Sequence, residues 1–175
     1  MNVTLREITA ETVRHVIRLE VAPDQKHFVA SNAVSLAQAL FQSEAWYRAI
    51  YLDDEPVGFV MLFDESLRPE PPAAPEIGLW RLMIDARHQG RGIGALALRQ
   101  VIEHVLAKGL FSSLSVSYVP GEGCPEAFYL AAGFVHTGEV DDGEIVLELA
   151  LDRAAAEPVA GEPAACEPVA GESAA

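Results

Sequence analysis

Three glycines in six residues, Gln89-Gly90-Arg91-Gly92-Ile93-Gly94, stand between an apolar strand-like run and a helical one. Without a β-carbon, glycine lets backbone N–H groups close on an anion. The helix after the loop adds its free N–H groups and the positive end of its dipole. A diphosphate held there gains roughly 0.3–2 kcal/mol from the dipole alone. Arg87 and Arg91 can add charge at the same mouth. A triphosphate-binding P-loop needs Lys-Ser or Lys-Thr after its last glycine, and Ala95-Leu96 follow Gly94 instead. A dinucleotide fingerprint fits better at Gly90, Gly92 and Ala95, but it wants an acid at the end of the next strand. Tyr118-Val119-Pro120 stand there. The plain alternative is a glycine turn that only caps a helix.

The other reactive residue types are scattered. His15, His27, His88, His104 and His136 show no paired ligand spacing, so no metal is expected. No Ser-His-Asp order is convincing. Cys124 and Cys166 make no disulfide framework, which fits a reducing cytoplasm.

The elements that must position the glycine loop follow from periodicity and punctuation. Val3–Ile8 reads as a strand, and Thr9 can cap a helix to about Val21, stopped by Pro23. Ser35–Gln42 reads as a short helix entered through Ser31 and Asn32. Trp46–Leu52 and Val57–Phe63 form a hairpin around Asp53-Asp54-Glu55-Pro56. Glu65–Pro75 is a loop, and Ile77–Ile84 is the strand before the glycines. Gly92–Lys108 carries a helical apolar face and ends at Gly109. Leu114–Val119 is a strand, Pro125–Ala132 a short helix closed by Gly133, and Phe134–Leu151 a hairpin turning at Asp141-Asp142-Gly143. The order β-α-α-β-β-β-α-β-α-β-β predicts one α/β sheet with helices on both faces.

The chain has 175 residues, enough for one domain with its own core. Its net charge of -14 argues against nucleic acid and permits attraction of cationic small molecules. Five of the twelve Lys and Arg residues (Arg81, Arg87, Arg91, Arg99 and Lys108) fall together, as local relief for an anionic ligand would require. No apolar run suits a membrane span, and the first residues show no export signal. From about Arg153 a repeat rich in Ala, Pro, Gly and Glu takes over. The domain is therefore placed at 1–152, with a disordered tail at 153–175.

LWRLMIDARHQGRGIGALAL (Leu79–Leu98) resembles the acetyl-CoA-binding motif of the GCN5-related N-acetyltransferases, with Gln89, Gly92 and Gly94 at its defining positions. EAFYLAAGF (Glu126–Phe134) is similar to the family's second motif, in the family's order. The resemblance implies a mixed, mostly antiparallel sheet of about seven strands, with a splayed strand pair and four helices on both faces. It implies that the backbone of Leu82, Met83 and Ile84 pairs with the pantetheine arm of acetyl-CoA. The diphosphate then rests on Gln89, Gly90, Arg91, Gly92, Ile93, Gly94 and Ala95. Tyr129 would protonate the leaving thiolate. Glu76 and Glu144 are the candidate bases, since Trp80 stands where some relatives carry a glutamate. Gln25, Phe28, Asn32 and Trp80 would border the acceptor. Glu122 replaces an asparagine that many relatives use against the cofactor.

Asp24–Ala39 and the LWRLMID strand are similar to the spermine/spermidine (diamine) branch, which implies a polyamine acceptor. A drug amine, a protein amine or a non-catalytic acyl-CoA sensor are the alternatives. A homodimer paired through sheet edges is a further expectation from the resemblance.

Overall fold

The computed structural model describes residues 2–151, so the repeat expected as a tail lies outside the described residues. The expected elements occur in the expected order: β1 (Val3–Arg6), α1 (Val13–Val16), α2 (Asn32–Ala39), β2 (Ala45–Leu52), β3 (Glu55–Asp64), β4 (Ile77–Ile84), α3 (Ile93–Lys108), β5 (Ser113–Tyr118), α4 (Glu126–Ala131), β6 (Val135–Asp141) and β7 (Glu144–Ala150). The seven strands form one sheet in the order β1-β2-β3-β4-β5-β7-β6, antiparallel except where β4 meets β5. β1 and β6 are its open edges.

Two apolar layers sandwich this sheet. Ile93, Ala97, Leu98, Val101 and Val105 give α3 its buried stripe, which packs with Tyr129 and Phe134 on Leu62, Leu79, Val116 and Leu147. On the opposite face Val16, Leu19 and Leu36 cover Phe59, Met61 and Met83. The helices therefore divide as expected, α1 and α2 on one face and α3 and α4 on the other.

The first helix is shorter than its expected span of Thr9–Val21. Only Val13–Val16 winds as α-helix. On either side i→i+3 bonds replace the regular ladder, Thr12 to Thr9 and Leu19 to Val16. The second helix begins earlier than expected, at Asn32, because Ser31 Oγ accepts from the Val34 N–H and caps it.

Two irregularities in β4 shape the open end of the sheet. Its pairing with β5 is confined to Gly78↔Ser115 and Leu79↔Val116, although both strands run on. The two are close there because residue 78 is glycine; a β-carbon would lie 2.9 Å from Ser115 Oγ. Beyond Leu79 the strands part. On its other side β4 pairs with β3 at Leu62↔Leu79 and Met61↔Arg81, leaving Trp80 as an extra residue, a β-bulge.

Candidate active site

Four segments meet at the end of β4: the strand itself, the Ala86–His88 turn, the glycine loop and α4. Asp85 anchors the turn. It is almost fully buried and accepts from the backbone N–H of Glu20 (3.1 Å) and Arg87 (3.1 Å) and from Arg87 Nε (2.7 Å). Burial pushes this carboxyl up, but the Arg87 guanidinium and the two backbone donors outweigh it and leave its pKa below the ordinary value.

A carboxylate of depressed pKa stabilises the fold fully above its unfolded pKa near 4 and loses that contribution as pH falls through the lowered folded value. Asp85→Asn should therefore be less stable than the parent at pH 7, and the gap should narrow in the acid range below about pH 4. Urea midpoints measured across that range test it.

Gln89 ties the loop to the rest of the molecule. Its Nε2 donates to the Ile84 carbonyl (2.9 Å) and to Gln25 Oε1 (2.8 Å). The structure thus places Gln25 as a clamp on the glycine loop. Gly90 and Gly92 hold positive φ of 71° and 74°, and β-carbons at either would meet nothing within 4 Å. Their backbones open onto free space at the amino end of α3. Gly94 faces inward, where a β-carbon would lie 3.5 Å from the Phe128 ring and 3.6 Å from Ile84. Small size at residue 94 lets α4 close against α3 and β4, and sets Phe128 edge-on to Tyr129, with 5.2 Å between ring centres. Tyr129 packs edge-on to Phe134 as well, and burial raises its phenol above the usual range.

The basic cluster expected around the loop is dispersed. Arg91 is exposed at the mouth beside His88. Arg87 is engaged by Asp85. Lys108 is at the far end of α3, about 24 Å from the loop by helical rise, paired with the buried Asp64. Arg81 lies on the other side of β4. Beside the glycine loop this leaves Arg91 and the largely exposed Arg87, together with the helix dipole and the loop N–H groups.

The acceptor candidates also divide. Asn32 is buried, its amide donating to the Val16 carbonyl (2.8 Å) with Met83 Sδ at 3.6 Å, so it braces α1 against β4. Phe28 reaches across to the loop after β5, 4.0 Å from the β-carbon position of Gly123. Trp80 is half-buried on the α1/α2 side, edge-on to Phe63. Glu76 lies at the closed end of the β4–β5 pair, its N–H donating to Glu65 and its charge acting on Arg68. Glu144, at the start of β7, accepts from the Ser117 hydroxyl where the strands have already parted.

Arg81 and Ser117 belong to this group too, although the sequence points to Arg81 only as phosphate relief and to Ser117 not at all. The alternation Leu114-Ser115-Val116-Ser117-Tyr118 is the available signal for the serine, since it puts Ser117 on the face opposite the α3 core. Among the described residues, no three His, Cys, Asp or Glu side chains come together as a metal would need.

A sheet that opens between β4 and β5, with a glycine-loosened helix N-terminus at the opening, is the frame of an N-acetyltransferase. The acetyltransferase (GNAT) family profile matches residues 16–134, and the chain belongs to this family. The spermine/spermidine N(1)-acetyltransferase of Bacillus subtilis (strain 168) is 27% identical over 152 residues, 84% of this chain and 97% of that protein. Among solved structures, an aminoglycoside acetyltransferase AAC(6')-Ib in complex with coenzyme A superposes with a TM-score of 0.69 at 18% identity, over 85% of this chain and 95% of that one. The PaiA N-acetyltransferase of Thermoplasma acidophilum, also with coenzyme A, gives 0.61 at 15% identity, over 86% and 99%.

Proposed function

We propose that the protein moves acetyl from acetyl-CoA directly to a primary amine, and that the acceptor is a polyamine or diamine such as spermidine or spermine. The observation that carries the reading is the parting of β4 from β5 beside a loop whose glycine backbones face open space. In this reading the N–H groups of Gln89 to Ala95 hold the diphosphate. The edge of Leu82, Met83 and Ile84, left unpaired by β5, holds the pantetheine arm. The name of the Bacillus relative and the acidity of the chain support a cationic acceptor. A cytoplasmic setting belongs to the same reading.

The amine must lose its charge to react. With a pKa near 10.4, exposing its lone pair at pH 7 costs roughly 4.6 kcal/mol. Glu144 suits the task of taking that proton, directly or through water, because it stands at the open end of the strand pair. Glu76, at the closed end, is the poorer candidate. The nitrogen then attacks the thioester carbon, and backbone N–H groups around Met83 steady the oxyanion. As the C–S bond breaks, Tyr129 gives the sulfur a proton and regains one from solvent. The nitrogen sheds its second proton, so each ammonium acetylated releases one net proton.

Thiol release from acetyl-CoA, followed with spermidine, spermine, an aminoglycoside and a lysine peptide, tests this. Saturable release is expected with the polyamines. Saturation by another amine alone would replace the acceptor and keep the enzyme. Coenzyme A binding with no amine-dependent release would make the protein a sensor.

A further inference from the structure

The bulge in β4 brings a cation to the face where an amine should react. Ile77, Leu79, Leu82 and Ile84 belong to the α3-side core, whereas Trp80 and Met83 belong to the opposite layer. Side chains alternate up to Leu79 and again from Arg81, with Trp80 inserted between. Trp80 and Arg81 therefore share the α1/α2 face, a placement that an unbroken strand forbids.

The half-buried Arg81 guanidinium is poorly satisfied. Its Nη1 donates to the Trp80 carbonyl (2.7 Å), its central carbon lies 5.3 Å from the Trp80 ring centre, and its buried Nε has no hydrogen-bond partner. Burial lowers its pKa, and the Glu144 carboxylate opposes that shift. A buried charged donor without a partner costs stability and needs an explanation.

Glu144 on β7 acts on Arg81, and further carboxylates stand beside it in the hairpin. Glu144 accepts from Ser117, Asp141 stands opposite Glu144 in the ladder, and Asp142 follows at the turn. Glu148 shares that face of β7 but stands opposite Ser115, at the closed end of the β4–β5 pair. From the α1/α2 layer the buried amide of Asn32, which is uncharged, packs against β4. Carboxylates alone would bind a polyamine well, yet they would hold the reacting nitrogen as ammonium, because a nearby negative charge raises an amine's pKa.

We propose that Arg81 holds the reacting nitrogen of the acceptor in its neutral, nucleophilic form, while the hairpin carboxylates bind the acceptor's remaining charge and take the proton. The inference rests on the acetyltransferase reading above. It gives the unsatisfied guanidinium a purpose: a like charge beside the amine disfavours protonation, and one unit of pKa multiplies the reactive fraction about tenfold at pH 7.

The test is the pH profile of kcat, which reports ionisations in the bound complex. Two acceptors are used, spermidine and a primary amine of pKa about 8, whose neutral plateau falls in an accessible range. Arg81→Gln should move the acid limb up by about one unit, costing about tenfold at pH 7. With the weaker base it should meet the parent above about pH 9.5. Arg81→Lys should restore the parent profile. Arg81→Met, which keeps the packing on Trp80, serves if glutamine impairs folding, and coenzyme A binding verifies that each variant is intact. An equal loss at every pH with an unmoved midpoint overturns the proposal. Absence of amine-dependent thiol release in the parent, with any acceptor, overturns the underlying reading instead.

Discussion

Gly92→Val is expected to leave a folded protein that binds acetyl-CoA about a hundredfold more weakly. Two costs combine. Residue 92 sits at φ 74°, where a side chain, and above all a β-branched one, is strained by roughly 1–2 kcal/mol. The new methyl groups would also stand in the open space over the loop, where the N–H groups must reach the diphosphate. Losing that approach forfeits up to about 2 kcal/mol of dipole and N–H interaction. Relieving the strain by turning the loop would misdirect the same N–H groups. The strain enters the affinity because the free loop can relax and binding must restore the strained shape; with the lost approach it comes to about 3 kcal/mol, roughly a hundredfold. Calorimetric titration with coenzyme A reads it directly. Gly90→Val should weaken binding in the same way, whereas Gly94→Ala, at ordinary van der Waals distance from Phe128 and Ile84, should be mild. A loop that serves only to start a helix would show a lower melting temperature in the Gly92 variant with affinity unchanged.

The frame of this site is legible in the sequence because local signals and global packing agree there. Gly109 stops α3 in a left-handed conformation, and Asp142-Gly143, both at positive φ, turn the last hairpin as their types require. Apolar alternation marks β5 and β7. The failures have a common cause, which is that they depend on partners distant in sequence. Nothing near Gln25 announces that Gln89, sixty-four positions away, bonds its side chain. Lys108 has the charge for phosphate relief, but Asp64 claims it. Most consequential is the bulge at Trp80. No residue type announces it, because it arises from the register between β3 and β4. It alone decides that Arg81 faces the α1/α2 layer and not the core of α3.

Tyr129→Phe should lower kcat by about a hundredfold or more, the usual worth of a positioned proton donor, while the Michaelis constants for acetyl-CoA and amine stay near the parent values. The packing argument favours a clean result. The ring is held by Phe128 and Phe134 through its edges and faces, and phenylalanine preserves those contacts. Burial complicates the chemistry in an instructive way. It raises the phenol above its ordinary value, so the group stays protonated throughout the working range and contributes no alkaline limb of its own to the rate. The same shift makes it a weaker acid toward the leaving thiolate. Donation becomes favourable only if the leaving sulfur is equally deprived of water, since an apolar setting raises the basicity of a thiolate as it does that of a phenolate. On the proposed mechanism the sulfur must therefore leave in surroundings as dry as those of Tyr129. An acetyl donor whose leaving thiol has a much lower pKa would need no such help. With it, parent and Tyr129→Phe should turn over at similar rates, whereas a purely structural role for the ring would keep them a hundredfold apart with every donor.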